Sequence, residues 1–151
     1  MVESSDFRVR RIVLNHGGGR MPAVGFGTLI SDVATTASAT RDALAVGYRH
    51  FDCAERYRNE REVGGALQVG LAVGGIAREE IFVTTKLWNS NHRPERVEPA
   101  FEASLERALS TCREQDVTTI SATTGQKAIN GFWVISVNSR QATNRARSCL
   151  R

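Results

Sequence analysis

The sequence predicts an α/β fold in which short strands alternate with helices. Its 151 residues fit one domain, and a composition of 41% apolar and 24% charged residues is typical of a globular protein. Three strand-like segments are each followed by a segment with helical spacing. This alternation implies parallel strands joined by right-handed crossovers, which leaves a doubly wound sheet and a (β/α)8 barrel as the two candidate architectures.

A short hairpin is predicted before the first strand–helix unit. Residues 7–14 alternate loosely between apolar and polar side chains, and residues 15–19 read Asn-His-Gly-Gly-Gly, which is turn chemistry. The second strand of the hairpin would begin at Met21 and Pro22. We expect this hairpin to cap one end of the sheet.

The first unit combines a small buried strand with a helix. Residues 23–28 read Ala-Val-Gly-Phe-Gly-Thr, which predicts the strand, and residues 37–46 predict the helix. Gly47 follows, and glycine best tolerates the left-handed conformation that often ends a helix.

The second unit repeats this order. Residues 50–53 predict a strand, and Asn59 with Glu62 three residues later predicts a capping box at the start of a helix. Apolar and small residues then recur at helical spacing, at Val63, Ala66, Leu67 and Gly70.

The third unit has the strongest pattern. After Gly74 and Gly75 end the preceding helix, residues 81–86 are β-branched and aromatic, as in a strand that is buried on both faces. Pro94 and Pro99 flank the first turn of the next helix. Its apolar stripe follows the spacing i, i+3, i+4, i+7, i+8 and i+11, at Val97, Ala100, Phe101, Ser104, Leu105 and Ala108.

A boundary is predicted near Leu109, because charge and composition change there. Residues 1–108 carry fourteen basic and fourteen acidic side chains, whereas residues 109–151 carry six and two and are rich in Ser, Thr, Asn and Gln. We expect this tail to be largely irregular, with at most one strand or helix at residues 132–137. Its arginines are not interleaved with aromatic side chains, so no specific nucleic-acid partner is expected.

The cysteines and the hydropathy pattern indicate a reducing, aqueous compartment. The three cysteines, Cys53, Cys112 and Cys149, are odd in number and far apart, which argues against a disulfide framework and a zinc site. Residues 1–6 are polar, and the longest apolar run falls far short of the roughly 20 residues that span a bilayer. We therefore expect a cytoplasmic protein without a membrane partner or a bound metal.

Three ionisable side chains lie at predicted strand ends. Asp52 and Tyr57 follow the second strand, and Lys86 ends the third. Catalytic groups of α/β barrels come from the carboxyl ends of the strands. Each residue alone has an ordinary explanation as a turn residue, a packing residue or a solvated charge, but three at one edge indicate a candidate active site.

The sequence resembles the aldo-keto reductase family through a motif around these residues. Residues 47–54 read Gly-Tyr-Arg-His-Phe-Asp-Cys-Ala, and Glu60, Val63 and Gly64 follow at the family's spacing. Further matches lie at residues 21–28, 85–88 and 92–105. The resemblance covers about residues 12–108 and implies a partial (β/α)8 barrel of about three βα units, closed at its bottom by the N-terminal hairpin.

The resemblance also implies an activity, the NADPH-dependent reduction of a small aldehyde or ketone. Asp52, Tyr57 and Lys86 align with three of the family's four catalytic residues. Hydride transfer to a carbonyl carbon leaves an alkoxide-like oxygen that needs a proton, which Tyr57 would supply. Lys86 would favour the phenolate form of Tyr57, and Asp52 would keep Lys86 charged and fixed.

Two further residues take roles from the same resemblance. Thr28, together with Asp52, would contact the cofactor. Trp88 would form an aromatic wall of the substrate cleft, and the alternative for Trp88 is packing against the barrel rim.

The sequence departs from the family in two respects. The family's fourth catalytic residue, a histidine, has no counterpart, because the last histidine is His92 and the corresponding residues 116–121 read Asp-Val-Thr-Thr-Ile-Ser. A barrel of eight units takes about 250 residues, so five units and most of the cofactor-phosphate site are expected to be missing.

These departures keep a second interpretation open. The chain would then be an inactive truncated remnant or a gene-model fragment, serving at most as an interaction module. A sheet of three strands would have an open edge, through which we expect non-specific self-association. Sequencing the transcript across the codons for residues 108–112 tests the gene-model alternative.

Overall fold

The described part of the chain begins with the predicted hairpin. The structure, a computed structural model, describes residues 10–14, 20–109 and 133–137. Strand β1 (Arg11–Val13) pairs antiparallel with β2 (Arg20–Pro22). The turn between them lies outside the described residues.

Three parallel strands follow in chain order, β3 (Phe26–Gly27), β4 (His50–Asp52) and β5 (Phe82–Leu87). Each strand lies beside its predecessor, as successive strands of a (β/α)8 barrel do. Aligned registers bring the carboxyl ends of the strands to one edge, with Gly27 opposite Asp52 and Asp52 opposite Thr84.

Strand β3 is shorter than the predicted strand over residues 23–28. The backbone of Ala23 donates a hydrogen bond to the carbonyl of Arg10, with 2.9 Å between nitrogen and oxygen. This bond holds the beginning of the segment to the hairpin instead of to β4. The pairing with β4 is therefore confined to the last residues of the segment.

Three helices alternate with these strands, α1 (Val33–Ala45), α2 (Glu60–Gly74) and α3 (Pro94–Leu109). Helix α1 begins four residues before the predicted start at residue 37. The carboxylate of Asp32 accepts a bond from the backbone N of Thr35 at 2.6 Å and caps the helix. None of the helices in the described ranges is long and apolar enough to cross a membrane.

The predicted capping box between Asn59 and Glu62 is wrong. Asn59 does stand at the N-cap of α2, but its side chain makes no capping bond. Its amide nitrogen instead donates to the carbonyls of Thr28 at 2.7 Å and Ile30 at 3.2 Å. Asn59 therefore ties the start of α2 to the loop after β3, which sequence spacing alone could not indicate.

The hydrophobic core lies between the sheet and the first two helices. Helix α1 packs against α2, and α2 packs against α3. The buried core side chains come from both helices and from the strand segments, at Ala43, Leu44, Phe51, Cys53, Val63, Leu67, Ile81 and Val83. This packing fixes β4 and β5 side by side and so places the residues at their ends.

A fourth strand, β6 (Trp133–Val137), comes from the tail and pairs antiparallel with β5. It agrees with the one element predicted near residues 132–137. The edge of β5, which the sequence predicts to be open, is thus paired within the chain. The sheet is a mixed sheet of four strands instead of three parallel ones, and the rest of the tail lies outside the described residues.

Candidate active site

The three ionisable residues predicted from the strand ends lie together in the structure. The ammonium of Lys86, near the end of β5, lies 2.6 Å from Oδ1 of Asp52, the last residue of β4. The same nitrogen donates to the hydroxyl of Tyr57 at 3.3 Å and to the carbonyl of Cys53 at 3.0 Å. Lys86 therefore bridges the carboxylate and the phenol.

Backbone contacts fix the end of β4, where Asp52 lies. The backbone N and the hydroxyl of Thr28 both donate to the carbonyl of Asp52, at 3.1 and 2.9 Å. The backbone N of Cys53 donates to the carbonyl of Thr84 at 2.7 Å. The end of β4 is therefore held by the residue that follows β3 on one side and by β5 on the other.

Thr28 supports the site from inside the protein. Its side chain is completely buried, and its hydroxyl is bonded to Asp52. The side chain thus has no surface to offer a cofactor in this arrangement. Its structural contribution is the position of Asp52.

Tyr57 lies in a short 3-10 turn (Glu55–Tyr57) that follows β4. Arg58 ends this turn with a φ of 58°, a left-handed conformation that is uncommon for residues other than glycine. The ammonium of Lys86 lies 5.0 Å from the centre of the Tyr57 ring. Tyr57 is half-buried.

An open cleft of about 460 Å³ lies over these residues. Its volume is within the range of small-molecule sites. Tyr57, Lys86 and Trp88 contribute to its lining. The remaining lining residues are Leu29, Ala54, Arg56 and Leu87.

Two neighbours of Tyr57, which the sequence analysis did not single out, hold Trp88. The carboxylate of Glu55 accepts from the backbone N of Trp88 at 3.2 Å and from the amide of Asn91 at 2.9 and 3.0 Å. The guanidinium carbon of Arg56 lies 5.2 Å from the centre of the Trp88 ring. Their only sequence signal is that both lie between residues 47–54 and Glu60, which carry the family resemblance.

An ion pair between Glu60 and Arg107 helps to hold β5 in place. Glu60, whose side chain is 1% exposed, pairs with Arg107 of α3 at 2.9 Å. Its other oxygen accepts from the hydroxyl of Thr85 at 2.6 Å. Because Thr85 precedes Lys86, this contact helps to set the position of the strand end that carries the lysine.

The histidine and the cysteine nearest the site are packing residues. The imidazole of His50 contacts the hydroxyl of Thr84 at 2.9 Å, and burial lowers its pKa. Burial raises the pKa of the Cys53 thiol to about 12, which keeps it protonated and unreactive at neutral pH. Among the described residues there is no cluster of His, Cys, Asp or Glu that could hold a metal ion.

The sequence contains no histidine after His92, and residues 116–121, where the resemblance would place the fourth catalytic residue, lie outside the described residues. The site in the described part of the chain therefore consists of a carboxylate, an ammonium and a phenol around a small cleft.

Comparison with known proteins gives a consistent result. The family model described as Aldo/keto reductase family matches residues 23–119. The protein named Aldo-keto reductase family 1 member A1 from Rattus norvegicus is 50% identical over 94 residues, which cover 62% of this chain and 29% of that protein. The D/L-glyceraldehyde reductase of Hypocrea jecorina is 44% identical over 97 residues, again 29% of its length.

Solved structures match the same part of the chain. The aldose reductase from Schistosoma japonicum is 44% identical with a TM-score of 0.59, and the match covers 62% of this chain and 31% of that one. The aldo-keto reductase of Bombyx mori, solved in complex with NADP, is 37% identical with a TM-score of 0.61, covering 66% and 34%. The chain thus spans about a third of the length of these relatives.

Proposed function

Because the chain belongs to the aldo/keto reductase family, we propose that it carries the proton-donating part of an NADPH-dependent carbonyl reductase site. Asp52, Tyr57 and Lys86 are its catalytic residues in this proposal. The substrate would be a small aldehyde or ketone bound in the cleft beside Tyr57. The observation that carries the proposal is the Lys86 ammonium placed between Asp52 and Tyr57.

Tyr57 would donate the proton. Tyr57 lines the cleft, and the Lys86 ammonium donates to its hydroxyl oxygen at 3.3 Å. A cation at this distance stabilises the phenolate that remains once the proton has moved to the carbonyl oxygen. Lys86 therefore favours the transfer without being the proton donor itself.

Asp52 would orient Lys86. The carboxylate at 2.6 Å directs the ammonium between Asp52 and Tyr57. The ion pair is only partly exposed, at 17% for Lys86 and 38% for Asp52, so solvent screens it incompletely. The pair contributes more to the orientation of Lys86 than to the stability of the fold, because a partly exposed pair contributes at most about 1 kcal/mol.

The chemistry that bound NADPH supplies is the electron pair that reduces the carbonyl carbon. A cleft of about 460 Å³ would accommodate the nicotinamide end of such a cofactor together with a small carbonyl. It is too small for a whole dinucleotide. Asp52 would meet the cofactor through its second carboxylate oxygen, which makes no bond within the described residues. Thr28 would act on the cofactor through Asp52, because its own hydroxyl is already bonded there.

A chimera tests this proposal. The segment of the Bombyx mori relative that matches this chain is replaced by the corresponding residues of this chain, so that the host supplies the remaining barrel. We expect aldehyde-dependent oxidation of NADPH, and a loss of about 100-fold to 10,000-fold in kcat for Tyr57→Phe, which is the usual contribution of a general acid.

Tyr48 provides the matched control, since it is the other tyrosine of the chain and packs against Phe26 with ring centres 5.8 Å apart. Tyr48→Phe should leave the rate close to that of the unsubstituted chimera. An active chimera whose rate is unchanged by Tyr57→Phe contradicts the proposal. An inactive but folded chimera favours the interpretation as an inactive remnant.

A further inference from the structure

Arg56 places a second positive charge at the mouth of the candidate active site. It directly precedes Tyr57 in the 3-10 turn and lines the same cleft as Tyr57 and Lys86. Its side chain is exposed, and its guanidinium lies over the ring of Trp88 at 5.2 Å. A guanidinium over an indole is attracted to the ring, so the stack holds the arginine on one wall of the cleft.

Trp88, whose ring lies under Arg56, is itself held in place. The backbone N of Trp88 donates to Glu55, and Asn91 donates to both oxygens of the same carboxylate. Trp88 is therefore held at its backbone by Glu55 and covered at its ring by Arg56. A group that is already positioned loses less conformational freedom when it binds a ligand.

The charge of Arg56 is not compensated as that of Lys86 is. Lys86 has Asp52 at 2.6 Å, whereas Arg56 forms no ion pair with any residue that the structure describes. The nearest carboxylate along the chain, Glu55, accepts bonds from Trp88 and Asn91. The lining of the cleft, with Asp52 beneath it, thus has a net positive charge contributed by Arg56.

We infer that Arg56 forms an anion-binding subsite, and that the preferred carbonyl substrates carry a carboxylate or phosphate group. The planar fork of a guanidinium matches the oxygens of either group, and both are recognised through the same charge-assisted hydrogen bonds. The inference rests on the proposed function, because Tyr57 sets where the carbonyl lies. The anionic group would then occupy the wall formed by Arg56 and Trp88.

Binding of matched ligands tests the inference without cofactor or turnover. The full 151-residue chain is titrated with 4-carboxybenzaldehyde and with 4-formylbenzamide, a neutral analogue of the same shape, and binding is followed by ligand-observed NMR. We expect the acid to bind roughly twofold to fivefold more tightly than the amide, as one exposed ion pair allows. A third ligand, 4-formylphenyl phosphate, shows whether phosphate is preferred to carboxylate.

Two substitutions assign the preference to its residue. Arg56→Gln should abolish the difference between acid and amide. Arg58→Gln removes the same charge two residues away, from a neighbouring cleft, and should leave the difference unchanged. Because binding is measured without cofactor or turnover, this test is separate from that of the proposed function, which the loss of reduction in Tyr57→Phe tests in the chimera.

Several results would overturn the inference. These are equal binding of acid and amide by the unsubstituted chain, no detectable binding of the acid, or a preference that survives Arg56→Gln. A weaker affinity for NADPH in Arg56→Gln, with the preference for the acid intact, would also overturn it, because the arginine would then serve the phosphates of the cofactor.

Discussion

At the scale of single residues, Lys86 contacts both of the other ionisable groups of the candidate site. Its contact with Asp52 at 2.6 Å fixes where the charge lies, and its contact with Tyr57 at 3.3 Å directs that charge to the phenol. The carbonyl of Cys53 takes a further proton of the ammonium at 3.0 Å. All three donor positions of the lysine are thereby used, so its rotamer is determined by the surrounding groups.

His50 gives the folded chain a pH dependence that can be checked. Burial lowers the pKa of His50, while the charge of Asp52 opposes the shift. The unfolded chain therefore binds the proton at a higher pH than the folded chain does. The contribution of His50 to stability is complete above about pH 6.5 and is lost as the pH falls below that value.

We expect the free energy of unfolding of the chain to decrease between about pH 7 and pH 5, as measured by urea denaturation. The variant His50→Gln should show a flatter profile in this range, because the glutamine at position 50 does not titrate there. A decrease of the same size in His50→Gln would exclude His50 as its source.

The residue types at strand ends explain why Asp52, Tyr57 and Lys86 could be found in the sequence. Arg56 could not be found in this way, because an arginine in a loop looks like any solvated charge until its stack on Trp88 is known. Glu60 has the sequence appearance of an acid in the first turn of a helix. Its burial depends on Arg107, which lies 47 residues later in the chain.

At the scale of elements, α2 connects the other two helices and is close enough to α3 to require a glycine. A Cβ built on Gly64 would collide with the backbone carbonyl of Ala108, whereas Gly65 has open space around its Cβ position. Both residues lie in α2, so they share the same helical backbone. The two positions therefore form a matched pair for testing how closely α2 and α3 pack.

We expect Gly64→Ala to destabilise the chain by about 1 to 3 kcal/mol, because the helices must separate to admit the methyl group. Gly65→Ala should be neutral or stabilise by up to about 1 kcal/mol, since alanine is the better helix former. Thermal unfolding followed by circular dichroism measures both changes. Equal effects at the two positions would contradict the close contact between α2 and α3.

The helices differ in how well the sequence predicts them. The apolar stripe of α3 predicts the position of this helix almost completely. Gly75, at a φ of 60°, ends α2 near the predicted residue. The start of α1 was missed because its first turns are mostly Thr, Ala and Ser, which carry no clear periodicity. The pairing of β6 with β5 was missed because the pattern near residues 132–137 indicates an element but contains nothing about its partner.

At the scale of the whole molecule, the order of the strands agrees with the barrel that the resemblance implies. The parallel strands β3, β4 and β5 lie in chain order, and the structural relatives are reductases that match about a third of their length to this chain. Periodicity alone could not separate a barrel from a doubly wound sheet, because both consist of the same βα units. In the described part of the chain, the next neighbour of β5 is the antiparallel strand β6.

We expect the purified 151-residue polypeptide to show no measurable oxidation of NADPH with a generic aldehyde. Holding the reactants together accounts for roughly 7 to 11 kcal/mol of barrier lowering. This term depends on cofactor contacts, and the chain spans only about a third of the length of its reductase relatives. The decrease in absorbance of NADPH, with and without the protein, measures this. Substrate-dependent oxidation that disappears in Tyr57→Phe would show instead that these residues suffice for turnover.

The coupling between Tyr57 and Lys86 in the chimera is the measurement that tests the proposed site most directly. It requires kcat/KM for the unsubstituted chimera, for Tyr57→Phe, for Lys86→Met and for the double variant. If the ammonium acts on the proton of Tyr57, the double variant should be at most a few-fold slower than Tyr57→Phe alone, because residues that act as a unit do not contribute additively. Losses that multiply in the double variant would contradict a shared proton-donating centre.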